Sequence, residues 1–112
     1  MPKTSIQVTI QNDTYKKEAI LRDNSISYKE DDSTRVNYNY DNNILIRDNN
    51  EFNMEYDFNN KKGKIILKEF NKILEVEIKV NRLNIKDNNI EIEYEIENDK
   101  FIYRIEELKW VY

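Results

Sequence analysis

The sequence has no cysteine and no histidine. Without cysteine there is no disulfide and no thiolate nucleophile, and nothing marks the redox compartment. Without histidine the chain lacks the commonest general base, and the two side chains that most often bind transition metals are both gone. No cofactor, no metal and no catalytic residue is expected. Glycine and proline occur once each, at Gly63 and Pro2. A lone glycine excludes the glycine-rich loops that cradle phosphates. It also leaves the turns to asparagine and aspartate, the next residues that tolerate a left-handed backbone. No apolar run is long enough to span a bilayer as a helix. The opening Met-Pro-Lys-Thr-Ser leads into Ile6-Gln7-Val8-Thr9-Ile10 and does not read as a signal peptide. A cytoplasmic protein without a membrane partner is therefore the expectation.

What is present is alternation. Hydrophobic residues make up 38% of the 112 positions, enough for a single core in a single domain spanning 1–112. Charged residues make up 36% with a net charge of −4, which gives no support for a nucleic-acid partner. No stretch has a helical period. Apolar and polar residues alternate with period two, and turn signals recur at short intervals, as in an all-β sandwich or barrel. The spacing predicts strands at 4–11, 14–22, 25–30, 34–41, 44–48, 51–58, 64–70, 73–80, 83–87, 90–97 and 100–107. Every connection is short, so an antiparallel meander is the simplest topology, and closure into a small barrel would remove its edges.

The most regular stretch is Ile90 to Ile105. A two-residue turn at Asn98-Asp99 would pair Ile96 with Phe101, Tyr94 with Tyr103 and Ile92 with Ile105, with Glu97 facing Lys100 outside. The same reasoning places two-residue loops at Asp23-Asn24, Asn42-Asn43, Asn49-Asn50, Asn71-Lys72, Asn81-Arg82 and Asn88-Asn89, while the first hairpin, at Asn12-Asp13, must bury either Lys17 or Glu18 whichever loop is chosen. Longer loops fall at 31–33 and 60–63. In this register Tyr28, Tyr38, Tyr40, Tyr56, Tyr94 and Tyr103 all face inward, where core packing explains them better than base stacking. Ile44, Ile46 and Ile102 are pushed outward; a three-residue loop at 41–43 would instead bury Ile44 and Ile46 and expose Arg47.

Short strand motifs also carry a resemblance. Ile26-Ser27-Tyr28-Lys29-Glu30, Ile46-Arg47, Met54-Glu55-Tyr56, Gly63, Leu74-Glu75-Val76 and Ile92-Glu93-Tyr94-Glu95-Ile96 occur in order, within a resemblance running from about Thr4 to Glu107. The chain is in this respect similar to the YwiB-like family of small uncharacterised bacterial proteins. It has Ile65 where that family prefers an aromatic residue two places after the glycine, and Asn71 where a glycine is usual. The resemblance implies a calycin-type, lipocalin-like β-barrel and carries no catalytic residue.

The candidate site is the barrel mouth. Inward positions near the loops at 31–33, 48–50, 71–72 and 88–89 are Lys17, Glu30, Thr34, Arg47, Glu69, Asp87 and Glu107. The opposite end reads as an apolar floor. Arg47 is expected to point inward between Tyr38 and Phe52, with Glu69 or Glu30 as its resting partner. A guanidinium between aromatic walls suits two-point binding of a carboxylate or phosphate. The leading expectation is non-catalytic binding of a small, anionic ligand by Arg47, Glu69, Glu30, Lys17, Tyr38 and Phe52. The rival expectation is a protein partner, met by a barrel with a filled core through an edge strand or an outer apolar patch of Ile44, Ile46 and Trp110. Glu91, Glu93, Glu95 and Glu97 read as a solvated face opposite basic partners, and Asp31-Asp32 as a turn.

Overall fold

The computed structural model describes residues 3–87 and 89–108. It is all-β, with eleven strands: β1 (Lys3–Ile10), β2 (Asp13–Leu21), β3 (Ser25–Lys29), β4 (Arg35–Asn39), β5 (Ile44–Asp48), β6 (Phe52–Asp57), β7 (Lys62–Leu67), β8 (Lys72–Glu77), β9 (Lys79–Lys86), β10 (Asn89–Ile96) and β11 (Asp99–Glu107). All ladders are antiparallel and form one sheet in the order β8-β7-β6-β5-β4-β3-β2-β1-β11-β10-β9, nearly closed into a barrel. The first and last strands in sequence are neighbours in its middle, Val8 facing Ile105. Trp110 of the expected outer apolar patch lies outside the described residues.

The two sheet edges, β8 and β9, are consecutive in the chain. A single residue, Ile78, separates them. It is buried, and its N–H donates to Lys61 O at 2.9 Å. One extended stretch therefore leaves the side of β7 and runs straight on to the side of β10. The hairpin expected at Asn81-Arg82 does not form. Neither residue adopts the positive φ that a tight hairpin turn favours. Instead the ladder slips between Glu93 and Tyr94, where Arg82 and then Val80 are the partners, so Asn81 is the extra residue of a β-bulge.

The other loops differ from expectation in length, and each difference has a backbone cause. The last hairpin turns at Glu97-Asn98, where both residues have positive φ (51° and 73°). Tyr94 accordingly faces Phe101, and Ile92 faces Tyr103. The loops at 40–43, 58–61 and 68–71 each end in a left-handed residue: Asn43, Lys61 and Asn71. Tyr38 thus faces Leu45, and Arg47 lies between Val36 and Met54. The first hairpin turns at Gln11-Asn12, pairing Ile10 with Asp13. The register at 22–24 and 31–33 is as expected: Ala19 faces Tyr28, and Tyr28 faces Val36.

Each of these hairpin offsets is an even number of residues, so the inward faces survive, and the single odd shift is the bulge in β9, past which Val80 faces Tyr94. The core includes Ile6, Val8, Ile26, Val36, Tyr38, Leu45, Phe58, Ile90, Ile92 and Ile105, with Tyr28, Tyr56, Tyr94 and Tyr103 also buried and Tyr40 packed against them. Tyr94 is the hub of an aromatic cluster, with Phe58 and Phe101 at 5.2 Å and Tyr56 at 5.9 Å between ring centroids. Burial of one inward face per strand is the main source of stability.

Candidate functional site

β5 delivers Arg47. Leu45 is buried on the inward face, so Arg47, two residues on, shares that face. Its Nη2 donates to Glu30 Oε2 at 2.5 Å, with the two side chains 34% and 24% exposed. The guanidinium carbon lies 5.8 Å from the centre of the Phe52 ring. Its Nε is buried and donates to no acceptor among the described residues. The Arg47 charge reaches Tyr28, Tyr56, Tyr94 and Tyr103, favouring their ionised forms against burial, which dominates and raises all four.

Glu30 is held by the loop that follows it. Its N–H donates to Thr34 O at 2.9 Å. Inside the loop, Asp31 Oδ1 accepts from Ser33 N, Ser33 Oγ and Thr34 N, and these bonds hold the Asp31 carboxyl below the usual carboxylate range. Asp31 thus closes an Asx turn. Thr34 is buried, and its hydroxyl accepts from Asn49 Nδ2 at 3.2 Å, tying this loop to the next.

β2 delivers Lys17, which faces inward two residues before buried Ala19. Its Nζ donates to the backbone oxygen of Glu30 at 2.8 Å. Beside it lies a recess of about 330 Å³ whose walls include Val8, Ile10, Tyr15 and Tyr28, with Asp13, Lys17 and Glu30 as its charged members. Below, the hydroxyls of Tyr28 and Tyr103 share a buried hydrogen bond of 2.6 Å. Burial pushes the Tyr28 phenol up to about 12.

Arg47, Glu30, Lys17 and Phe52 are therefore brought together. Tyr38 and Glu69 are not. Tyr38 is fully buried, and its hydroxyl donates to Asn43 Oδ1 at 2.9 Å, near the opposite end of its strand. Glu69 is exposed in the 68–71 loop, because Met54 faces Ile65 and the strand ends two residues before it. Glu107 and Asp87 also leave the mouth. Thr4 Oγ1 donates to Glu107 Oε1 at 3.3 Å, and the charge of Glu107 acts on Tyr40 beside the 40–43 loop. Asp87 follows β9, near Asn89, whose Oδ1 accepts from Glu107 N. Charge is thus present at both ends of the barrel, and the apolar floor is less pure than the sequence suggested.

Sequence reasoning missed Asp13, Tyr15 and the Tyr28–Tyr103 pair. Tyr15 sits near a strand end, where period two does not decide the environment of a side chain. The two hydroxyls meet across the barrel, at a separation fixed by strand stagger that no local pattern reveals. Among the described residues no group of three or more acidic side chains is placed to hold a metal ion. No described helix is long and apolar enough to cross a membrane. Comparison with protein-family models, curated proteins and solved structures finds no match to this chain.

Proposed function

We propose that the mouth binds a small anionic ligand without transforming it, with Arg47 as the anchoring cation. The observation that carries this reading is the buried Arg47 Nε without an acceptor. A buried donor left unmade costs on the order of 1–3 kcal/mol, and a carboxylate or phosphate oxygen would accept from it. Glu30 occupies only Nη2 in the resting state. Lys17 gives one bond to Glu30 O and has ammonium donors to spare. Phe52 and Tyr28 supply apolar walls, and the adjoining recess approaches the size of a small-molecule pocket. The calycin-type character of the barrel and a bacterial setting belong to the same reading and rest on the order of the strand motifs; a cytoplasmic setting is part of the same proposal.

Native mass spectrometry of protein purified from cells tests it. A small acidic adduct should be retained by the wild-type chain and lost from Arg47→Met. Thermal shift with inorganic phosphate and a series of aliphatic monocarboxylates supplies a second reading. An adduct that persists on Arg47→Met, or no adduct together with no shift for any of these anions, would remove the proposal.

A further inference from the structure

The outward face of β2–β5 carries a separate concavity of about 810 Å³. Its floor is one row of side chains running straight across the strands. Lys3 faces Ile20, Ile20 faces Ser27, Ser27 faces Asn37, and Asn37 faces Ile46. Asn37 Nδ2 donates to Ser27 Oγ at 2.6 Å, so the middle of the row is satisfied internally. Ile20 and Ile46 stand half-buried on either side of it.

The neighbouring row is electrostatically odd. Lys29 stands directly opposite Arg35. Like charges facing each other across an antiparallel pair are destabilising, and the inward packing requires neither. Arg35 also faces Asp48, whose Oδ1 accepts from Lys68 Nζ at 3.0 Å and from Asn53 Nδ2; those bonds come first, and the charges of Lys68 and Arg35 add to them, in holding the Asp48 carboxyl below its usual range. Lys3 and Arg22 bring the cations around the concavity to four, against two carboxylates, Glu18 and Asp48. This local surplus lies on a chain whose net charge is −4.

We propose that this outer concavity docks a short acidic segment of a partner protein, extended across β1–β5. Its carboxylates meet Lys29 and Arg35, and an apolar side chain seats against Ile20 or Ile46. The length of the row favours a peptide over a small anion. From β1 to β5 the row spans four strand spacings of ~4.8 Å, roughly 19 Å, the reach of about six extended residues. The Lys29–Arg35 pair alone would satisfy a phosphate. Single-stranded nucleic acid needs outward aromatic platforms, and neither row contains one.

Fluorescence anisotropy on the full chain tests this, with three labelled probes: a short peptide alternating glutamate and leucine, its lysine–leucine counterpart, and oligothymidylate. The acidic peptide should bind in a salt-dependent manner and weaken about tenfold on combined Lys29→Ser and Arg35→Ser substitution. Both side chains are exposed, and an unchanged circular dichroism melt establishes that the double variant is folded. Amide shifts on titration should gather at Ile20, Ser27, Asn37 and Ile46. The proposal is overturned by an acidic peptide that fails to bind at millimolar concentration. It is equally overturned by undiminished binding to the folded double variant, by shifts gathered at the mouth, or by oligothymidylate binding as tightly to the same rows.

Discussion

A methyl group at residue 63 would stand 2.7 Å from Tyr56 Cδ1 and 2.7 Å from Val76 Cγ2. Gly63 lies within β7, directly opposite Tyr56, and its φ is not positive. Its lack of a side chain makes room for a ring and serves no turn. The sequence pattern places this lone glycine in a loop, but the left-handed residue of that connection is Lys61. Gly63→Ala should cost about 1–3 kcal/mol through overpacking. The urea midpoint would fall at constant m-value, and an unchanged midpoint would mean that the Tyr56 ring moves aside freely. The inward tyrosines give a second residue-scale expectation. Burial raises the phenols of Tyr28 and Tyr40 to about 12, and raises those of Tyr38, Tyr56, Tyr94 and Tyr103 as well. In the unfolded chain a tyrosine ionises near ~10. Above that pH the unfolded chain releases protons that the folded chain keeps, so this stabilisation is complete below about pH 10 and falls as pH rises toward 12. Urea midpoints at stepped alkaline pH should show the decline, with the phenolates of these six tyrosines appearing together with loss of near-ultraviolet dichroism. Ionisation of these six, resolved from exposed Tyr15 by Tyr15→Phe substitution, while the tertiary signal stays native would contradict burial as the cause.

The strands were legible because period two needs only one solvated face, and that condition holds along most of this chain. Loop lengths were not, because left-handed geometry is not confined to asparagine and aspartate. Gln11, Lys61 and Glu97 adopt it too. A lengthened loop here changes the pairing partner by an even number, so Tyr94 keeps its inward face while exchanging Tyr103 for Phe101 across the ladder. For the same reason Arg47 keeps its place at the mouth although its loop is longer than expected, while Glu69, which lies past the end of β7, does not. The bulge at Asn81 is the one element that alters topology. Asn-Arg between two apolar runs resembles a turn signal, and only the paired strand β10 shows that the chain runs on. β8 and β9 each have a strand partner on one side only. Hydrogen exchange should therefore alternate between slow and fast amides along β8 and β9, and be slow at successive residues in β10, which is paired on both sides. Uniform protection along β8 would mean that its edge is covered.

At the scale of the molecule, Ile78 joins the two edges. It is 3% exposed, and it is the point where the extended stretch exchanges β7 for β10. Ile78→Ala would open a cavity where the near-closure is made, at a cost of about 2–5 kcal/mol. Loss of the contact should destabilise β7–β8 and β9–β10 together. Denaturation followed at probes in the two hairpins should shift by the same amount; a shift at one hairpin alone would make the two edges independent. Barrel closure itself was legible as a tendency, since a long meander has edges to hide. Which strands would be left as edges was not, because that depends on the stagger of the whole sheet.

The join between β1 and β11 has a consequence for synthesis. Thr4 and Glu107 are hydrogen-bonded although they lie 103 residues apart. During translation at about 5–20 residues per second, β1 would wait roughly 5–20 s for β11 to emerge. The intervening hairpins can zip in the order in which they appear, so the waiting species is an open ribbon. One bare edge of that ribbon is the strand containing Ile6 and Val8, both destined for the core. Ribosomes closely spaced on one message would hold such ribbons side by side, each edge a template for its neighbour.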